Sequence, residues 1–175
     1  MKSKFIMAVS FLGLVGAQLP AQARSLMPPV WSAELTRIHL DEQLPYKDSV
    51  VGAEIEINYA ARKATLTLMR KFSCPVGQFC AQVMPMPIVI ELPIVDRNVD
   101  ECGSKLIKAA KDLRRVDGAL QTLAIRDNTA NHCPSFVARP ATEVIMKSEY
   151  HGRGRPMSTR STFEGEALRP VYNKM

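Results

Sequence analysis

One stretch limits what this chain can become more than any other: Val51, Ala53, Ile55, Ile57 and Tyr59 alternate without a break against Gly52, Glu54, Glu56 and Asn58. Successive side chains of an extended strand point to opposite faces, so this period of two sends the apolar set to a core and the acids to water. A lone strand leaves its backbone N–H and C=O groups unpaired, and the next residues supply a partner. After a turn at Ala61-Arg62-Lys63 come Thr65, Leu66, Thr67, Leu68, Met69 and Phe72, a run rich in strand formers, and the two runs read as a hairpin.

Further strands are expected downstream. Ile88 to Val95 is β-branched, but Pro93 has no N–H to give a ladder; it predicts a strand that lies at an edge or breaks there, closed by Asp96-Arg97-Asn98. Ala141 to Tyr150 sets Thr142, Val144, Met146 and Tyr150 against Glu143, Lys147 and Glu149, with Ile145 the exception. Met157 to Glu164 is its expected partner across the glycine-rich link from His151 to Pro156. Elsewhere the pattern is weaker. Ser32 to Leu40 fits a first strand poorly and a short helix no better. Leu44-Pro45-Tyr46-Lys47-Asp48 interrupts any regular element, and the tail from Arg169 is expected to fray.

The segment from Cys102 to Cys133 admits two readings. Leu106, Ala109, Ala110 and Leu113 fall at helical spacing, with Ser104 placed as an N-cap and Arg114 and Arg115 in a basic last turn. The same residues also suit a strand that turns between Arg115 and Gly118 and returns through Leu123 and Ile125 to Asp127-Asn128. Local propensity favours the helix. The strand-like neighbours and the Asp117-Gly118 hairpin signal favour a β-meander, which is the reading adopted. About seven short strands with Gly and Pro turns then predict an all-β chain, or a mainly β one with one short helix, folded as a β-sandwich or small barrel.

The N-terminus predicts export. Lys2 and Lys4 precede an uncharged apolar run from Phe5 to Gly16, and Ala21-Gln22-Ala23 supplies the small-x-small pattern that signal peptidase accepts. Residues 1–23 are thus expected to be a signal peptide, cleaved after Ala23, and residues 24–175 a single domain in the periplasm or outside the cell. The apolar run falls short of the ~20 residues that span a bilayer, so no transmembrane segment is expected. In an oxidising compartment an even number of cysteines reads as disulfides. Cys74, Cys80, Cys102 and Cys133 allow three pairings, of which the sequence neighbours Cys74–Cys80 and Cys102–Cys133 are preferred. Loop entropy assigns roughly 2 kcal/mol to the short loop and somewhat under ~4 kcal/mol to the long one. The spacings are too long for the closely paired cysteines of a zinc site. Loss of Lys2 and Lys4 lowers the formal charge from +6 to +4, a mild basic excess that permits attraction to anionic polymers without requiring it.

No catalytic constellation assembles from the sequence. His132 adjoins Cys133, but an oxidised sulfur has no thiolate to attack with, and no G-x-S-x-G elbow is present. Glu54 and Glu56 share a strand face at a separation that acid–base pairs use, although a solvated face is the simpler account. Asp96, Asp100 and Glu101 lack the ligand spacing of a calcium loop, and the pair Met84 and Met86 is explained by packing before copper. No metal or cofactor is therefore expected.

Two stretches remain as ligand-binding candidates. A Cys74–Cys80 loop would present Val76, Gln78 and Phe79 pre-organised, so that binding forfeits less entropy. Lys147, Arg153, Arg155 and Arg160, with His151 among them, make the densest basic stretch, suited to an anionic envelope polymer or the acidic surface of another exported protein. Their plain alternatives are a staple between strands and a solvated turn. Nucleic acid is not an expected partner, because no binding motif is present. The functional expectation is an exported, non-catalytic binding or inhibitory domain; the alternative is an envelope hydrolase using a carboxylate pair.

Overall fold

The computed structural model describes residues 29–71, 86–113, 119–134, 138–150 and 157–172. They form β1 (Val30–His39), β2 (Val50–Asn58), β3 (Lys63–Arg70), β4 (Ile88–Val99), β5 (Lys105–Leu113), β6 (Ala119–Asp127), β7 (Thr142–Tyr150), β8 (Met157–Gly165) and β9 (Arg169–Val171). Each strand pairs antiparallel with the next from β1 to β8, and β1 also pairs with β8, which closes an eight-stranded up-and-down barrel. The expected all-β class holds. Of the two architectures left open, the barrel is the one formed. Closure gives every barrel strand two neighbours and removes the open edges that a sandwich would leave. Among the described residues the only helical element is a single 3-10 turn at Lys47–Ser49.

The alternation in the sequence becomes the inside and outside of the barrel. Ala53, Ile55 and Ile57 face Leu68, Leu66 and Ala64 across β2–β3, and all six are buried. On the other wall Ile107, Ile125, Val144 and Phe163 are successive partners across β5 to β8, and none exceeds 4% exposure. Apolar side chains therefore fill most of the interior, with Thr142, Ser148, Thr159 and Ser161 buried beside them, while the outer positions carry Glu54, Glu56, Lys108 and Lys147. That sidedness is the reverse of a membrane-spanning barrel, which turns its apolar face to lipid. Among the described residues no helix is long and apolar enough to cross a membrane.

Several expectations change, and bulges cause most of the changes. A bulge adds one residue to one strand and so reverses which side chains point inward. In β1 the register shifts between Leu35 and Arg37: Ala33 and Leu35 point inward before it, and Ile38 faces Phe163 after it. This phase change is why Ser32 to Leu40 matched no single period, although the segment is a strand. In β2 a shift between Val50 and Gly52 turns Val51 out to 62% exposure and packs Val50 against the core in its place. The strand around Pro93 neither ends there nor lies at the barrel's edge, and it runs on through Asp96-Arg97-Asn98 to Val99. Pro93 is tolerated because β4 changes neighbours at this point: Ile88 to Pro93 pair with β3, and Ile94 to Val99 pair with β5.

The helix reading of residues 104–115 fails. Lys105 to Leu113 pair one for one with Asp127 to Ala119, so the long-range ladder overrides local helical propensity. Asp117-Gly118 and Arg114-Arg115 lie outside the described residues. The tail does not fray at Arg169: β9 pairs with Val30 to Ser32, along the side of β1 that β8 occupies further on. At the seam between β1 and β8, a Cβ built on Gly165 would lie 2.1 Å from the carbonyl oxygen of Glu34 and 2.8 Å from Leu35 Cα. Only glycine lets the two backbones approach this closely.

Candidate functional site

The site begins with a third bulge. Before the shift between Ile94 and Asp96, the inward residues of β4 are Leu92 and Ile94. After it, Arg97 faces the buried Ile107 and Val99 faces Lys105, so the odd-numbered side chains point inward. A straight alternation would have put Arg97 on the outer wall. The bulge aims it into one end of the barrel, where the packed interior gives way to a mouth.

That mouth is a cavity of about 450 Å³ whose lining includes Trp31, Tyr59, Arg97, Val99, Lys105, Asp127 and Leu168. Trp31 continues the inward row of β1, opposite Ile57, and Tyr59 continues the inward row of β2. Two cations lie over these rings. The Arg97 guanidinium carbon is 5.0 Å from the centre of the Tyr59 ring, and Lys105 Nζ is 5.8 Å from the centre of the Trp31 ring. Both distances allow cation–π attraction, which holds the long side chains against the walls. Burial pushes the Tyr59 phenol above its ordinary value of 10.0; Arg97 opposes the shift and Asp127 adds to it. The ring therefore stays neutral beneath the guanidinium.

The charges in the mouth do not cancel. Asp127 is buried; its Oδ1 accepts from the Thr129 amide at 3.1 Å and from the Thr129 hydroxyl, and its Oδ2 lies 3.5 Å from Lys105 Nζ. Lys105 is thus compensated. Among the described residues no carboxylate pairs with the Arg97 guanidinium. One planar, five-donor cation stands over an aromatic ring in a half-apolar cavity, a group suited to receive an anion.

The rim beside the mouth is braced. The expected Cys102–Cys133 disulfide is formed and ties the β4–β5 turn to the segment after β6. Asp100 Oδ1 accepts from the amides of Cys102 and Ser104 at 3.0 and 2.8 Å, and the His132 amide donates to the Cys102 carbonyl at 3.0 Å. Gly103 has φ +86, and a Cβ there would lie 2.7 Å from the Ala130 carbonyl, so glycine is required at this corner. Lys105, two residues on, inherits that fixed starting point.

Of the ligand-binding residues nominated from sequence, the two that are described lie away from the mouth. Lys147 and Arg160 are cross-strand partners exposed on the outer wall of β7–β8. The Arg160 amide donates to Asp41 Oδ2 at 2.8 Å, and the Asp41 amide donates to Ser161 Oγ at 3.0 Å, which fastens the β1–β2 connection to β8. The same Arg160 bond, followed by one from the Gln43 amide, lowers the Asp41 carboxyl below its ordinary 3.8. Val76, Gln78, Phe79, Arg153, Arg155, His151, Cys74, Cys80 and the segment 1–23 lie outside the described residues. Glu54 and Glu56 sit on the outer wall, with Glu34 directly opposite Glu54. Burial, then Glu56 and Glu34, push the Glu54 carboxyl above its ordinary 4.5. Among the described residues no group of His, Cys, Asp and Glu side chains is placed to hold a metal ion.

Sequence reasoning misses Arg97 because it closes the strand at Asp96-Arg97-Asn98. A usable signal is present: the sole tryptophan, Trp31, stands two residues before the inward-facing Ala33. Comparison with family models, with curated proteins and with solved structures yields no match, so the site stands on its own geometry.

Proposed function

We propose that this chain is an exported, non-catalytic binding protein that seats a small ligand at the open end of its barrel. The observation that carries this is the mouth itself: a half-apolar cavity of about 450 Å³ with Trp31 and Tyr59 in its walls. That volume falls within the range of small-molecule sites, and apolar walls with a few convergent polar groups are their usual composition. Export is supported by the Lys2–Ala23 pattern, and the Cys102–Cys133 disulfide is compatible with it. The carboxylate-pair hydrolase has weaker support, because Glu54 and Glu56 project from a convex wall where a substrate would find no enclosure.

The test uses N-phenyl-1-naphthylamine, a neutral aromatic probe that fluoresces in apolar surroundings. The purified protein should bind it saturably at one site, with energy transfer from Trp31. Val99 is 66% exposed on the cavity lining, so Val99→Trp fills the mouth without entering the core. It should weaken the probe at least tenfold and leave the melting temperature unchanged. Non-saturable binding, or binding indifferent to Val99→Trp, would remove the mouth as a ligand seat.

A further inference from the structure

If the mouth is a ligand seat, as proposed above, we infer that its ligand is an organic monoanion: one carboxylate-, sulfonate- or phosphodiester-type group on an apolar or aromatic body. Three placements lead there. The bulge after Ile94 turns Arg97 inward, opposite Ile107, at a position where regular pleating would have put Asp96. The guanidinium then lies over Tyr59 and has no carboxylate partner among the described residues. The second cation, Lys105, is neutralised by Asp127, which is itself fixed by Thr129.

One uncompensated positive charge therefore remains in a cavity that already satisfies its own carboxylate. An anion entering it gains a charge-assisted, two-pronged hydrogen bond from Arg97. A neutral body of the same shape gains only apolar contact with Trp31, Tyr59 and Val99. A cationic ligand would meet Arg97 with no free acid to answer it. A dianion would bring a second charge for which Lys105 would have to abandon Asp127, leaving that buried carboxylate unpaired. The cavity thus selects on charge as well as on shape.

The test compares two probes of one skeleton, N-phenyl-1-naphthylamine and 1-anilinonaphthalene-8-sulfonate, which differ by the sulfonate. Energy transfer from Trp31, the sole tryptophan, weights the readout toward probe near the mouth. At low salt the sulfonate should bind at least tenfold tighter than the neutral probe, and added salt should narrow the gap. Arg97→Gln should bring the two affinities within about twofold by weakening only the sulfonate. Arg97→Lys, which keeps the charge and loses the fork, should fall between them. Equal affinities for the parent protein, or a preference that survives Arg97→Gln, would overturn the anion assignment while leaving the seat in place. If neither probe binds, the seat falls and the assignment with it.

Discussion

Gly165→Ala is the sharpest test of the barrel seam. Gly165 has an ordinary negative-φ backbone, so its requirement is purely steric. The added methyl would sit 2.1 Å from the Glu34 carbonyl oxygen, 2.8 Å from Leu35 Cα and 3.0 Å from the Glu34 carbonyl carbon, all backbone atoms that no rotamer change can move. Restoring an ordinary carbon–oxygen contact of ~3.3 Å requires β1 and β8 to part by about 1.2 Å at this point. Overpacking of a close-fitting site costs about 1 to 3 kcal/mol, and the rigid partners place this case at the upper end. The Glu166 amide bond to the same carbonyl, now 3.1 Å, would be strained as well, adding roughly 1 kcal/mol. The expected loss is about 3 to 4 kcal/mol, or roughly 6 to 16 °C in melting temperature for a chain of this size. Urea and thermal unfolding followed by Trp31 fluorescence and far-UV circular dichroism measure it. Gly52→Ala is the control: its Cβ would meet only the flexible Met69 side chain, at 3.6 Å or more, and should be neutral or slightly stabilising. A Gly165→Ala protein within about 1 kcal/mol of the parent, or a Gly52→Ala protein equally damaged, would refute the steric account of closure.

Two further outcomes can be checked in the same assays. Replacing Cys102 and Cys133 together by serine opens a loop of sequence separation 31, for which the chain-entropy relation gives a loss of about 3.7 kcal/mol; a change below ~1 kcal/mol in the urea midpoint analysis would show that the bridge does not restrain the unfolded chain. Glu54 binds its proton more tightly in the folded than in the unfolded chain, so its contribution to stability falls as pH rises from 4.5 through its raised folded value. The neutral Glu54→Gln protein should therefore have the higher urea midpoint at neutral pH and lose that advantage below 4.5; a difference that does not vary with pH would contradict the like-charge crowding with Glu56 and Glu34.

Unbroken alternation is the part of the fold that is legible in the sequence. Ala53, Ile55 and Ile57, and Thr142, Val144 and Met146, point inward as their period of two demands, and the hairpins they imply are present. The bulges are not legible. A bulge is set by how two strands accommodate the barrel's curvature, and Leu35, Val51 and Asp96 carry no local signal of it. The candidate site depends on one such shift, so Arg97 is hidden by the same effect that hides β1. The helix and strand readings of Leu106 to Leu113 are undecidable locally, since the deciding partners are Ala119 to Asp127 and the second half of β4. The pairing of Cys102 with Cys133, by contrast, needs only sequence proximity.

The pairing of β1 with β2, β8 and β9 also fixes the order in which the molecule can be completed. The first strand of the barrel finds half of its hydrogen-bond partners only among residues 157–171, in the last strands to be added. During synthesis or threading from the N-terminus, β1 and β7 remain open edges until that last stretch arrives. Contacts this distant in sequence make folding slow relative to local hairpin formation. A chain stopped before Met157 would have most of its hairpins but no circle, with two exposed edges ready to pair with other copies. Completion of this protein is therefore a single late event, decided where Gly165 meets Glu34.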